Sequence, residues 1–390
     1  MKHVVILGAG FAGLELATRL SESLEDEVRT TLIDQSDSFT FGFSKLDVLF
    51  GRKTKEDVLV HYSDISKDGV EFRQERVTEI DPETRRVTTD DGSYDADILV
   101  VALGADYDFA ATPGFAEGGV EYYSVAGAEH MGKALADFDS GTILIGILGH
   151  PFKCPPAPFE AAVLLHDHFL DRGIRDAVEI RTVGPMAAPV PITKELSRTI
   201  LDLLNECGIE YIPNQQIVEV DRDEDAVRLA SGGSIPYDLF VGIPVHRAPD
   251  VVARSGLAVN GWVPVERHNL ATRFPNVYAV GDIAALPMAK AGVFAEAAAR
   301  VVADDIAARL RGDVLHRSYE GAGTCYIELG GGNGRHGRGQ LLRRPDADRA
   351  TRRAIPRACR RQGHFRSDTA RAMVRPVTES KRRSTWAHRR

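Results

Sequence analysis

Cysteine is scarce. Four in 390 residues is too few for a disulfide framework of the kind that staples small secreted domains. No stretch approaches the ~18–20 uncharged apolar residues that a membrane-spanning helix requires, and no Cys/His cluster has zinc spacing. The chain opens directly into Lys2-His3-Val4-Val5-Ile6-Leu7 without signal-peptide architecture. A cytoplasmic location is therefore expected, with peripheral attachment to the cytoplasmic face of a membrane as the variant. Positive charge is thin over most of the length. Residues 334–390 hold 18 Lys+Arg against 4 Asp+Glu, and the totals of 48 and 56 then leave 30 against 52 for residues 1–333. An acidic surface of that kind stays solvated, including in a salty cytoplasm.

What is present is globular: 43% apolar and 27% charged residues, over a length that suits two or three domains. The exception is the tail, 334–390, whose arginine pairs (Arg343-Arg344, Arg352-Arg353, Arg360-Arg361, Arg382-Arg383, Arg389-Arg390) follow no helical or strand period. It reads either as a GC-rich gene translated out of frame or as a disordered basic arm, and no fold is drawn from it.

The first forty residues read as a βαβ unit. Val4 to Leu7 is a buried strand, Gly8-Ala9-Gly10-Phe11-Ala12-Gly13 a turn, and Leu14 to Leu24 a helix; Val28 to Ile33 is a second strand ending at Asp34. Glycines at those positions permit a tight turn, backbone approach to a pyrophosphate and close helix–strand packing, with the pyrophosphate on the helix N-terminus. Asp34, 26 residues after Gly8, stands where a carboxylate accepts hydrogen bonds from ribose hydroxyls. The hexapeptide alone does not choose between FAD and NAD. Two later segments do. Ala96 to Ala105 is an apolar strand ending in a small-residue turn at Ala102 and Gly104, and Asn276 to Asp282 is another ending in Gly281-Asp282.

Together these three segments resemble the FAD-binding signature of the two-dinucleotide-domain flavoproteins related to glutathione reductase. The resemblance covers residues 1–107 and 243–316. It implies FAD as cofactor, Asp282 at a ribityl hydroxyl, and the backbone of Val77 at the adenine. Gly141 to Gly146 begins a second βα unit within 108–242, where nicotinamide-using relatives carry a second glycine fingerprint. Here the turn contains Pro155, Pro156 and Pro158, which remove amide donors where a pyrophosphate needs them. Glu160 adds negative charge at the helix start. The expected fold class is α/β: two Rossmann-like domains, the first discontinuous, followed by a C-terminal region from about 317 to 333.

Cys154 follows Lys153 and is expected to open a helix, both of which favour a thiolate. Cys325 lies 171 residues later in a Gly-rich approach to a short strand. The segments Phe152-Lys153-Cys154-Pro155-Pro156-Ala157-Pro158-Phe159-Glu160 and Gly323-Thr324-Cys325-Tyr326 resemble those around the two redox cysteines of sulfide:quinone oxidoreductases and flavocytochrome c sulfide dehydrogenases. That resemblance implies that Cys154 and Cys325 converge on the flavin, take sulfur from sulfide and pass two electrons to FAD, and that an acceptor, a quinone, reoxidises the flavin. Many members carry a further cysteine before the second βα unit, and residues 105–140 contain none, as in the flavocytochrome type. Pro287-Met288-Ala289-Lys290-Ala291-Gly292 matches the family's Pro-x-x-Lys-x-Gly helix start, which brings Lys290 and the amides near Gly292 to the flavin edge. Glu160, His150 and Lys153 are candidate proton carriers. His166 and His168 read as helix-surface residues and Cys207 as structural; no metal is expected.

The expected partners are sulfide or a small thiol-like donor and a quinone, with room for peripheral membrane contact and for a homodimer, and no nucleic acid. The family's amphipathic C-terminal helices are replaced here by the arginine-rich tail. Two other functions stay open at this stage. One is a type II NADH:quinone dehydrogenase using NADH at the second domain. The other is a non-catalytic flavin-binding protein with a basic arm.

Overall fold

In the computed structural model, residues 1–191, 193–314, 318–323, 327–328 and 330 are described. Cys325, Cys359 and the tail beyond 330 lie outside the described residues.

The N-terminal apolar run becomes β1 (Lys2–Leu7), followed by α1 (Phe11–Leu24) and β2 (Val28–Asp34). A six-residue helix, α2 (Ser44–Leu49), precedes β3 (Val70–Gln74) and β4 (Ile98–Val101). After α3 (Val125–Ala136) comes a second series: β5 (Gly141–Ile147), α4 (Ala157–Asp171), β6 (Val178–Val183), α5 (Lys194–Glu206), β7 (Glu210–Ile212) and β8 (Leu239–Ile243). The chain then returns to the first sheet through β9 (Val277–Ala279) and closes on the long helix α6 (Gly292–Arg311).

Two parallel sheets result, ordered β9-β4-β1-β2-β3 and β7-β6-β5-β8. Val4 to Leu7 are fully buried and Ile98–Val101 nearly so, as expected of parallel strands covered on both faces. Each sheet also carries a three-stranded antiparallel flap: Val77–Asp81, Arg86–Thr89 and Ser93–Asp95 in one, Ile217–Asp221, Ala226–Leu229 and Ser234–Pro236 in the other. The two crossings between the sheets run side by side as an antiparallel ribbon, Asp106–Asp108 against Val245–Arg247.

Helix α1 lies against α6 over a core of Leu16, Leu20, Ala295, Ala298, Ala299 and Val302. Burying each large member contributes about 1.5–3 kcal/mol, and the alanines let the helices approach. In the second half, Ile143, Ile145, Phe159, Leu165, Phe169, Ile180, Val241 and Ile243 form a core that also takes in Ile327 from the C-terminal segment.

The tightest constraint is at the β1–α1 turn. Gly8 has φ +98°, and a Cβ there would sit 2.5 Å from the Ala102 carbonyl oxygen; at Gly13 it would sit 1.9 Å from that of Gly8. Both neighbours are backbone and neither can swing aside. Gly13→Ala is expected to cost at least about 2 kcal/mol of stability, read as a lowered urea midpoint with an unchanged m-value.

Candidate active site

The cradle begins where β1 meets α1. Gly8 N–H donates to the Ile33 carbonyl (2.7 Å), and Ala9 N–H to Asp34 Oδ2 (2.7 Å). Asp34 Oδ1 accepts from Ser36 N–H (2.9 Å), so its carboxylate ties the turn to β2, and each oxygen retains a lone pair for a hydroxyl donor. Gly10 caps α1 without any side-chain cap, leaving first-turn amides oriented for an anion. A Cβ at Gly10 would meet no atom within 4 Å, nor would one at Gly104. The glycines on the protein side of the turn are closed by backbone and the one on the ligand side is open. That pattern fits a dinucleotide pyrophosphate. The Phe11 ring packs over Gly292 and edges onto Phe39 and Phe41, locking α1 to the start of α6. Ala102 N–H donates to the Leu7 carbonyl, and Val77 packs on the core beneath β1.

Across the cradle, Gly281 (φ +81°) turns the chain after β9, and Asp282 lines a cleft with Gly281, Met288, Lys290, Ala291 and Tyr319. Burial pushes the Asp282 carboxyl above the usual carboxylate range, against the pull of Lys153, Lys290 and Lys45. Its side chain receives no hydrogen bond among the described residues, which suits a ribityl hydroxyl. Lys290 is only 6% exposed. Its ammonium donates to the Asp282 and Ala284 carbonyls and lies 3.5 Å from the centroid of the Trp262 ring. Burial pushes its pKa down to about 8, with Asp282 opposing and Lys153 assisting.

The cysteine loop docks here through the backbone. Cys154 N–H donates to the Lys290 carbonyl (2.7 Å), and Lys153 pairs with Lys290 in a parallel bridge. Helix α4 starts at Ala157, three residues after Cys154, which has φ +51°. Pro155 disfavours helical backbone at the residue before it, so the thiol stands ahead of the helix, outside its first turn. Glu160, in that first turn and 2% exposed, accepts Glu328 N–H (2.6 Å). Glu328 in turn pairs with Arg52 (2.7 Å). The segment just after Cys325 is thereby fastened beside the Cys154 helix.

Sequence reasoning missed four residues around this loop. Lys153 Nζ donates to Tyr107 Oη (3.2 Å), Tyr107 Oη donates to the Tyr123 carbonyl (2.9 Å), and Lys45 Nζ reaches that same carbonyl. Tyr123 Oη closes the circuit on the Lys153 carbonyl (3.0 Å). Burial and Lys153 push Lys45 down to about 8. His246, 5% exposed, lies edge-on to Tyr107 and Tyr123. Its Nδ1 donates to the Pro244 carbonyl (2.7 Å), and its Nε2 is buried with no partner among the described residues. Burial, reinforced by Lys153, drives its pKa down to about 3. The only sequence signal was Lys45, a lysine set among buried apolar residues on a short helix.

Other candidates separate. His150 is exposed, and partial desolvation together with Lys290 lowers its pKa. His166 accepts from Arg175 Nε (2.8 Å). His168 is half-buried against Phe50 and Phe169 rather than on an open helix surface. Cys207 is buried and its thiol pushed up to about 11, an inert structural cysteine. Among the described residues no His/Cys/Asp/Glu group could hold a metal, and no helix is long and apolar enough to cross a membrane. At the second βα turn a Cβ on Gly149 would meet Val245 at 3.0 Å, and β6 ends in Val183-Gly184-Pro185 with no acid at its tip. Neither feature suits a nicotinamide dinucleotide.

Comparison with known proteins agrees with this geometry. The signature of the pyridine nucleotide-disulphide oxidoreductases, FAD-binding flavoenzymes, matches residues 2–145 and 169–300. The chain is 27% identical over 346 residues to the mitochondrial sulfide:quinone oxidoreductase of Mus musculus, covering 84% of this chain and 76% of that protein. The crystal structure of the sulfide:quinone oxidoreductase from Aquifex aeolicus superposes with a TM-score of 0.74 at 26% identity, covering 80% of this chain and 78% of that one. A type II NADH:quinone oxidoreductase of Staphylococcus aureus is 25% identical, covering 73% of this chain and 75% of that protein.

Two outcomes are expected. Gly10→Ala should leave the unfolding midpoint within about 0.5 kcal/mol of wild type, while purified protein loses most of its flavin absorbance. The second concerns His246. Its folded pKa lies below the ordinary value near 6.5, so between pH 6.5 and 3 the unfolded state binds a proton that the folded state refuses, and stability falls as pH drops through that window. His246→Phe should remove a slope of up to about 1.4 kcal/mol per pH unit, measured by denaturation across pH 4–7.

Proposed function

This chain belongs to the pyridine nucleotide-disulphide oxidoreductase family, and we propose that within it the protein is a sulfide:quinone oxidoreductase-like enzyme. In this reading residues 1–107 and 243–316 hold FAD, 108–242 carry the sulfur-handling cysteine, and Cys325 supplies its partner. The observation that carries the proposal is the docking of the Cys154 loop on Lys290, a residue that lines the same cleft as Asp282.

The cofactor contacts follow from the cradle. Gly8, Gly10, Phe11, Ala12 and Gly13 receive the pyrophosphate, Asp34 the adenosine ribose, Val77 the adenine, and Ala102, Gly104, Gly281 and Asp282 the ribityl chain. Lys290 and the amides at Gly292 hold positive potential at the reducible end. Bound FAD would supply a two-electron acceptor next to Cys154. Sulfide would attack one sulfur of a bridged Cys154–Cys325 pair, breaking the bridge to leave a persulfide on one cysteine and a thiolate on the other, whose electron pair would pass to FAD; Cys154 is partly exposed. Glu160 holds the segment that follows Cys325, a positioning task in addition to the proton carriage its sequence context implied. Quinone is the proposed acceptor, and membrane-surface contact the proposed means of reaching it.

Similarity to type II NADH:quinone oxidoreductases favours a second reading, in which NADH is the donor. The closed turn at Gly149, the prolines at 155, 156 and 158, and the missing acid after β6 count against it.

Anaerobic sulfide should bleach the flavin of the purified protein, and Cys154→Ser should slow that bleaching by at least about 100-fold. NADH should leave the flavin oxidised. Bleaching by NADH and not by sulfide would install the second reading instead.

A further inference from the structure

The Lys45–Tyr123–Tyr107–Lys153 circuit is not explained by the cradle. Two ammonium groups hang from one tyrosine pair, and among the described residues each makes a single hydrogen bond, to the Tyr123 carbonyl and to Tyr107 Oη. An ammonium has three donors, so four remain unused. No carboxylate among the described residues lies within ion-pair distance of either lysine. Of the nearby acids, Glu121 is engaged, accepting from the amides of Tyr123 and Ser124 and from the Ser124 hydroxyl, and Asp282 is shared electrostatically among Lys153, Lys290 and Lys45 without a hydrogen bond to any of them among the described residues. Both lysines are half-buried, Lys153 with its ammonium also 4.5 Å from the centroid of the Tyr107 ring, and an anion that enters offsets the cost of partly desolvating two ammonium groups. Both lysines belong to the Cys154 neighbourhood, Lys153 by the peptide bond and Lys45 through its electrostatic coupling to the Cys154 sulfur.

A second observation points to what enters. His246 packs against Tyr107, Tyr123 and Phe152, the residues that wall Lys153. Because Nδ1 donates to Pro244, Nε2 carries a lone pair, and that lone pair is buried and unmet among the described residues. The vacancy calls for a hydrogen-bond donor, while the lysines call for negative charge. A species with both is small, anionic and protonated.

We propose that Lys45 and Lys153 form a receiving site for a small sulfur anion beside Cys154, with His246 Nε2 accepting its S–H hydrogen. The ligand class is the hydrosulfide or hydropersulfide anion, taken up as the anion rather than as the neutral acid. The choice of sulfur rests on the function proposed above; the choice of an anion rests on the lysines alone.

The test uses the flavin-loaded protein, its thiols first reduced with a phosphine. Alkylation of the Cys154 peptide by iodoacetate, an anion, and by iodoacetamide, its neutral counterpart, is followed by mass spectrometry. The iodoacetate-to-iodoacetamide rate ratio should exceed that of a simple thiol by about fivefold, and fall to the simple-thiol value in Lys45→Met and Lys153→Met. Lys153→Arg should keep the preference. The sulfide concentration for half-maximal bleaching should rise in both Met variants and in His246→Phe. That last variant should keep the iodoacetate preference, since the probe has no hydrogen to offer. An unchanged ratio in the Met variants overturns the proposal. So does a shift in flavin midpoint potential with the ratio unmoved, which would assign the lysines to the cofactor. If sulfide fails to bleach the wild type while the ratio behaves as expected, the anion site stands and the sulfide reading falls.

Discussion

One short piece of backbone pairing organises the functional half of this molecule: Cys154 N–H on the Lys290 carbonyl, extended by the Lys153–Lys290 bridge. It joins the turn after β5 to the segment that leads into α6, and so ties the carboxyl ends of two separate parallel sheets together. Ligands of open α/β sheets bind outside those ends. The pairing therefore brings a thiol from one sheet to the ligand side of the other. The ribbon of Asp106–Asp108 and Val245–Arg247 and the packing of α2, through Leu46, Val48 and Leu49, into the core of the second half hold the two sheets together elsewhere.

The same contact explains the unusual electrostatics. Docking the loop pushes Lys153 in among Lys290, Lys45, Tyr107 and His246, and the mutual repulsion adds to desolvation. Lys45 and Lys290 fall to about 8 and His246 to about 3, while Asp282 moves the opposite way because burial outweighs the attraction of three ammonium groups. Perturbed groups gathered in one cleft are what a site for developing negative charge requires. Lys290 is buried and Lys45 and Lys153 are half-buried beside it, a gathering of like charge that packing alone would not favour.

Much of this was legible before any coordinates. Gly8, Gly10 and Gly13, the strand that ends at Asp34, and the return through Val277 to Asp282 are local patterns, and parallel strands buried on both faces announce themselves as apolar runs. The proline-rich turn also spoke for itself, because the lost amide donors are a property of the residues. What stayed hidden was tertiary. Lys45, Tyr107, Tyr123 and His246 come from four segments spread over two hundred residues, and each alone is an ordinary side chain. The half-buried setting of His168 was hidden for the same reason: Phe50, which packs on its ring, lies more than a hundred residues away. The position of Cys154 ahead of α4, rather than within its first turn, follows from Pro155 and was within reach of sequence reasoning.

The two halves share a plan, a parallel sheet with a three-stranded antiparallel flap inserted ahead of one of its strands (β4 in the first, β8 in the second), yet their first βα turns differ. In the first, Gly10 faces open space and α1 keeps its uncapped amides toward it. In the second, Gly149 abuts Val245, prolines replace the donors, and the loop runs forward to Lys290 instead of curling back over its own sheet. An acid closes β2 and a glycine–proline pair follows β6. The second turn reaches forward instead: Cys154, three residues ahead of α4, is paired through its N–H with the Lys290 carbonyl. Prolines at 155, 156 and 158 offer no amide donor, and the Cys154 N–H is engaged by the Lys290 carbonyl, so this turn keeps few donors for a phosphate.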